Sequence, residues 1–310
     1  MKTLFMALFL CLVVPSSDTL NVMFWNLENF FDYRNDSTSV SDAEFSSRGA
    51  RHWTKKRFYA KCNAVAKAIM WTAGEQGSLP DIIGVAEVEN SFVLRRLTQA
   101  TILNKLDYKI VHYESPDRRG IDVALLYRSN KLQLQSSKPC HIYEADSTIM
   151  LTRDILMATF TTGKEDIAVL VNHHPSKFGG AQVSGPRRKQ AVQRLKQLAD
   201  SLQQTGITTI IAMGDFNDTP ANPIYKELNL HNASEQLYKR GEGTIKYAGK
   251  WELIDMFFTT NLNAQMEILY IPFLQTRDKA ATGTKPLRTY SGPRYLGGVS
   301  DHCPIWLTVF

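Results

Sequence analysis

Two connections in this chain are too short to be anything but hairpins. Ile155–Phe160 and Ile167–Val171 are apolar runs of strand length, separated only by Thr161-Thr162-Gly163-Lys164-Glu165-Asp166. Tyr108–Tyr113 and Ile121–Tyr127 are separated by an equally short loop containing Pro116 and Gly120. A parallel crossover needs about a dozen residues or more, so both pairs are antiparallel. Further runs recur at Leu20–Trp25, Asp81–Ala86, Ile207–Met213, Leu253–Phe258, Met266–Ile271 and Pro304–Val309. Helices flank several of these, so the sheets are mixed, which argues against a doubly wound parallel sheet. With so many strands and few helices, the economical arrangement is two sheets face to face with helices outside.

Three segments carry helical periodicity. One starts at Thr54 and sets Phe58, Cys62, Val65 and Ile69 on one face. A second starts near Ser91. The third is expected to start near Pro186, a first-turn position for proline, with Val192, Leu195, Leu198 and Leu202 on its stripe. The basic cluster Lys55-Lys56-Arg57 reads as solvated surface. A hydrophobic fraction of 44% and a charged fraction of 21% exclude a disordered chain, a collagen-like fibre and a coiled coil. Lys and Arg outnumber Asp and Glu by 36 to 30, a net +6 that suits an anionic partner without requiring one.

The N-terminus reads as a secretory leader over residues 1–17: Lys2, an apolar run from Leu4 to Val14, then Pro15-Ser16-Ser17. The run is too short for a stable membrane anchor, which takes about 20 apolar residues. The expectation is export to the periplasm or the medium, with cleavage near Ser16 or Ser17 and one domain over 18–310. Cys62, Cys140 and Cys303 would remain, too widely spaced for a disulfide framework or a metal cluster.

Polar side chains gather where the apolar runs stop. Asn26 and Glu28 follow the first run, two apart, and point to one side if the strand continues. Glu87 follows Asp81–Ala86. Asn172, His173 and His174 follow Ile167–Val171, and strand neighbours face opposite ways, so one imidazole alone reaches a common site. Gly214-Asp215-Phe216-Asn217 follows Ile207–Met213. Asp255 interrupts an apolar strand, and Ser300-Asp301-His302 precedes the last run. A capped turn explains any one of these. Together they supply acids, amides and imidazoles, with no thiol or serine nucleophile constellation.

Taken in order, Trp25-Asn26-Leu27-Glu28, Asp81-Ile82-Ile83-Gly84-Val85-Ala86-Glu87, Gly120–Arg128, Asn172-His173 with Ser176, Gly214-Asp215-Phe216-Asn217, Leu253-Ile254-Asp255 and Ser300-Asp301-His302 resemble the endonuclease/exonuclease/phosphatase superfamily. That family includes deoxyribonuclease I-like nucleases, abasic-site endonucleases, sphingomyelinases and inositol polyphosphate 5-phosphatases. The resemblance implies a four-layer α/β sandwich, with two mixed, mainly antiparallel sheets inside. It also implies phosphate-ester hydrolysis by in-line attack of water, where catalysis is placement and charge neutralisation. Glu87 is then the main metal ligand, with Asn26, Glu28 and Asp301 beside it. All are hard oxygens, so the ion is Mg²⁺ or Mn²⁺.

In the same resemblance Asp215 orients or deprotonates the attacking water, and Asn217 donates to the transition-state oxygen. His302 sits across the phosphate, held in one tautomer by Asp255, and His173 contacts the phosphate. His174 is left as a surface or packing residue. Candidate substrate contacts are Ser176, Arg187 at the start of the third helix, and Arg288 with Tyr290 in the loop before Ser300. The basic balance and the Arg/Tyr loop favour a nuclease-type phosphodiesterase acting on DNA or RNA. A phospholipid enzyme would carry an apolar hairpin to enter the membrane, and an inositol phosphatase a dense basic pocket; the sequence offers neither clearly. A binding protein that kept the fold and lost activity would normally have lost Glu87, Asp215, Asn217 or His302, and all four are present.

Overall fold

The computed structural model describes residues 19–34, 39–177 and 180–310. The leader expected over residues 1–17 lies outside the described residues. Eight strands lead the sheets: β1 (Leu20–Phe30), β2 (Ile82–Val88), β3 (Tyr108–His112), β4 (Asp122–Arg128), β5 (Gln133–Cys140), β6 (Ile155–Thr161), β7 (Asp166–His173) and β8 (Thr209–Asp215). In one six-stranded sheet the order is Gln265–Ile268, Ile305–Val309, β1, β2, β4, β3. In the other it is β5, β6, β7, β8, Asp255–Thr259, His231–Asn232. Each sheet contains one parallel pair, β1–β2 and β7–β8. The two short connections are hairpins, β3–β4 and β6–β7, as their lengths dictate.

Both faces of the central strands are covered, which is why they read as continuous apolar runs. On β1, Val22 and Phe24 join the core shared by the two sheets. Met23 and Trp25 join the core beneath the first helices. Helix α1 is Val40–Glu44, α2 is Lys55–Glu75 and α3 is Ser91–Gln99. Thr54 caps α2 by accepting from the Arg57 amide, and Phe58, Cys62, Val65 and Ile69 are buried as expected. Helix α4 (Ala181–Gln204) lays Val192, Leu195, Leu198 and Leu202 on the second sheet. The sheets touch closely at Gly84, where an added Cβ would stand 2.7 Å from the terminal methyl of Met213. Cys62, Cys140 and Cys303 are buried free thiols.

One helix boundary differs from the sequence reading. Helix α4 begins at Ala181, not near Pro186, which lies inside the helix. The Ser184 amide and hydroxyl both donate to the Gly180 carbonyl, at 3.1 and 2.7 Å, and build a first turn ahead of the proline. Pro186, inside the helix, forgoes the bond its missing N–H would have made and crowds the carbonyl one turn back. Among the described residues no helix is long and apolar enough to cross a membrane.

Candidate active site

The carboxyl ends of the two parallel pairs meet at one rim. Asn26 Nδ2, from β1, donates to Asp215 Oδ2, from β8, at 3.0 Å. His173 Nε2, from β7, lies 3.6 Å from Asp215 Oδ2 and 4.0 Å from Glu87 Oε1 of β2. Regular register brings Asn26, His173 and Asp215 together, but strand alternation alone does not aim Glu28 and Glu87 at them. The β1–β2 register slips between Asn26 and Phe30, where Glu28 and Asn29 adopt φ of 47° and 49°. Register slips again around Glu87, at φ 60°. Bulges of this kind re-aim side chains at the cost of backbone strain. The expectation that Asn26 and Glu28 share a side by simple alternation therefore fails. The bulge brings them together instead, with the Glu28 amide donating to Asn26 Oδ1 at 2.9 Å.

Asp215 stands directly opposite Asp255 in the antiparallel ladder. Burial pushes the Asp215 carboxyl up to about 7 and Asp255 adds to the rise, against His302, the Asn217 amide and Asn26. Asp255 Oδ2 holds His302 Nδ1 at 2.8 Å, and His302 Nε2 lies 3.9 Å from Asp215 Oδ2. Burial works against protonation of His302, but Asp255, Asp215 and Asp301 outweigh it and hold its pKa well above the ordinary imidazole value. His173 goes the other way: burial, Arg153 and Arg119 keep it well below. The surroundings thus favour the protonated form of His302 and the neutral form of His173.

Across the rim lie the hard oxygens. The Glu28 carboxylate accepts from the Thr289 amide at 2.7 Å and from Arg288 Nε at 3.0 Å. Arg288 also bridges to Asp301 at 3.0 Å. Burial and the charge of Asp301 push Glu28 up to about 7, despite Lys61 and Arg288. Glu87 takes the Asn29 amide at 2.8 Å. Burial raises its pKa, but Arg119, that amide, His302 and Arg153 more than offset it, and it stays below the ordinary value. Glu28, Glu87 and Asp301 all act on Arg288 and Lys61, so the three acids form one negative cluster. Three carboxylates gathered this closely supply the hard oxygens that suit Mg²⁺ or Mn²⁺. Asp215, Asp255 and His302 also present ligating atoms within 4.8 Å of one another. The His302–Asp255 hydrogen bond already occupies that set.

Asn217 joins the rim through its backbone amide, which donates to Asp215 Oδ1 at 2.9 Å, but several other expected residues do not. Asn217, at φ 51°, donates its side-chain N–H to the His174 carbonyl at 3.0 Å. Its amide has a second N–H to offer. His174 is a packing residue, fully buried edge-on to Phe216, and burial lowers it to about 3. Tyr290 does not offer a stacking face. It is buried among Phe45, Trp53 and Tyr295, and its hydroxyl donates to the Arg51 carbonyl. Arg187 lies within α4, not on its first turn, and pairs with Glu144 at 3.3 Å. Ser176 is exposed just beyond the end of β7.

Three basic residues escaped the sequence reading. Lys61, buried on α2, donates to the Glu28 carbonyl at 2.7 Å and to Thr289 Oγ1 at 2.9 Å. Arg153 donates to the carbonyls of His173 and His174. Arg119 donates to Asn29 and Glu87. Lys61 had a signal: it falls one residue before Cys62, beside the apolar face of α2.

Residues 21–310 match the model described as Endonuclease/Exonuclease/phosphatase family. No curated protein sequence matches. Truncated TDP2 from Caenorhabditis elegans is similar in structure, with 16% identity, TM-score 0.59, and coverage of 94% of this chain and 98% of that one. A mannosyl-6-phosphatase from Bacteroides thetaiotaomicron has 16% identity and TM-score 0.59, over 94% of this chain and 100% of that one. TDP2 from D. rerio, complexed with a single-strand DNA product, has 14% identity and TM-score 0.54, over 94% and 98%.

Proposed function

The chain belongs to the endonuclease/exonuclease/phosphatase family, whose members are metal-dependent phosphoesterases, and on that premise we propose a nuclease-type phosphodiesterase that uses Mg²⁺ or Mn²⁺. The observation that carries this reading is the meeting of Glu87, His173, Asp215 and His302 across two sheets at one rim.

Glu28, Glu87 and Asp301 would hold the cation, with the Asn26 carbonyl at its edge. The ion supplies charge neutralisation at a phosphate oxygen and at the leaving group. The remaining chemistry falls to the chain's own groups. Asp215 Oδ2 orients the attacking water and accepts its proton, and a carboxyl near 7 suits that task at neutral pH. His302, cationic and locked through Nδ1 by Asp255, offers Nε2–H to the phosphoryl oxygens. His173, neutral, donates without adding charge. The second N–H of Asn217 is the remaining donor for the transition state.

The basic surplus supports a nucleic-acid substrate, and a structural neighbour was captured with a single-strand DNA product. A phosphomonoester is the second reading, favoured by the mannosyl-6-phosphatase neighbour and by the absence of a stacking face on Tyr290. Residues 1–17 are a cleaved export leader in this proposal, and residues 18–310 one catalytic domain. The test is a panel of plasmid DNA, RNA, bis(p-nitrophenyl) phosphate, p-nitrophenyl phosphate, sphingomyelin and inositol phosphates, each with Mg²⁺, Mn²⁺ or EDTA. Diester cleavage abolished by EDTA is expected. Turnover of monoesters alone selects the second reading, and no turnover with any divalent ion returns the chain to a binding role.

A further inference from the structure

We infer that Arg119 is a phosphate-contacting residue of this cleft, held ready by a buried ion pair on the β3–β4 loop. The inference rests on the phosphoesterase reading of the rim and adds to it a residue outside the motif set.

Arg119 Nη2 donates to Asn29 Oδ1 at 2.6 Å and to Glu87 Oε2 at 3.3 Å. The shorter contact is to a neutral amide, so the guanidinium keeps its anchor whatever charge Glu87 faces. Nε and Nη1 make no hydrogen bond among the described residues, and the side chain is 41% exposed. The Nε–H and Nη1–H groups therefore remain as separate charge-assisted donors on a guanidinium anchored beside Glu87, each able to meet a phosphate oxygen.

The loop beneath is fixed more firmly than a solvated turn requires. The Arg119 amide donates to Asp117 Oδ1 at 2.9 Å, and its carbonyl accepts from Ser39 Oγ at 3.0 Å. Gly120, at φ 67°, has no room for a side chain: a Cβ would meet Ser39 Oγ at 2.8 Å. Asp117 Oδ2 pairs with Arg153 Nη1 at 3.1 Å, and the two side chains are only 5% and 6% exposed. The same Arg153 grips the carbonyls of His173 and His174, at 3.2 and 2.5 Å. A surface Arg–Glu pair contributes little and needs no support. A buried pair carries a desolvation cost and is weak evidence for stability alone. Here it ties the Arg119 loop to the strand end bearing His173, so the geometry points to placement of Arg119 relative to the reacting group.

The test measures binding of inorganic phosphate, in the presence of MgCl₂, by calorimetry on the full chain. Arg119→Ala is expected to weaken binding about tenfold or more, the size of one lost charge-assisted contact. Arg119→Lys, which keeps the charge and loses the fixed directions of the guanidinium N–H groups, should fall between. Arg118→Ala removes the same charge one residue away at an exposed position and should change binding less than about twofold. Equal losses in Arg119→Ala and Arg118→Ala overturn the proposal, because they report net charge and not contact. Phosphate binding unchanged in Arg119→Ala also overturns it, as does a lack of phosphate binding by the unaltered chain. In the last case, diester hydrolysis by that same chain would leave the phosphoesterase reading standing.

Discussion

The two ends of the sandwich handle buried carboxylates in opposite ways. At the amino ends of β1 and β2, Asp81 is 1% exposed and its charge is met on every side: the Asn21 amide at 3.0 Å, Lys131 at 2.9 Å and Arg128 at 3.5 Å. At the carboxyl ends, Glu28, Glu87, Asp215, Asp255 and Asp301 crowd together, and burial lifts Glu28 and Asp215 to about 7. The backbone differs as well. Glu28, Asn29, Glu87 and Asn217 all adopt left-handed φ at the crowded end. One sheet core supports both ends. The contrast teaches that packing does not impose the crowding; it is tolerated where it supplies chemistry.

Substitutions at the two ends should separate cleanly. The largest effect is expected from Asp215→Asn, with kcat down about a hundredfold or more and a circular dichroism spectrum like that of the unaltered chain. A loss below tenfold would remove Asp215 from the proton-handling role. Asp81→Ala, at the quiet end, should leave kcat unchanged and lower the urea-unfolding free energy by about 2 kcal/mol, since it strands the Asn21 amide, the largely buried Arg128 and the half-exposed Lys131. If it impairs turnover instead, the two ends are coupled and the contrast breaks.

Glu28→Gln sharpens the comparison from the crowded side. Removing a charge that burial already opposes should leave stability at pH 7 within about 1 kcal/mol, while Mn²⁺ affinity by calorimetry falls about tenfold or more. Unchanged Mn²⁺ binding would take Glu28 out of the ligand set. The smallest effect concerns His174, whose folded value near 3 lies below the unfolded value of about 6.5. Above about 6.5 neither state holds the proton; between there and about 3 the unfolded chain binds it preferentially, so stability is lost as pH falls. His174→Phe should remove up to about 1.4 kcal/mol per pH unit of that loss, read from unfolding at pH 7 and pH 5. Parallel pH slopes for the two chains would show that another group carries it.

Much of this was legible in the sequence because apolar runs mark buried strands and the site residues sit where those runs end. Strand β5 was not: Gln133–Cys140 is an edge strand with a single buried residue, so it has no apolar run to announce it. Tyr290 stands in a polar loop, and only its tertiary neighbours reveal that it is core. Arg119 and Arg153 were invisible for a related reason. An isolated cation in a loop or helix reads as solvated, and its burial depends on segments far away in the chain. Pro186 misled because proline commonly opens a helix, whereas here Gly180 and Ser184 build the turn before it.

Gly84 and Met213 carry a last consequence. The thioether of Met213 occupies the volume that any larger residue at position 84 would claim, and both positions lie on strands that end in the cleft. The two halves of the catalytic rim are thereby keyed to each other like a dowel in its hole. A larger residue at position 84 would have to displace that sulfur or push the sheets apart, so the glycine sets how closely they approach beneath the cleft. With the sheet spacing set there, the loops above the rim are the freer ground for selectivity, and exchanging them is a route by which such a scaffold changes its diet.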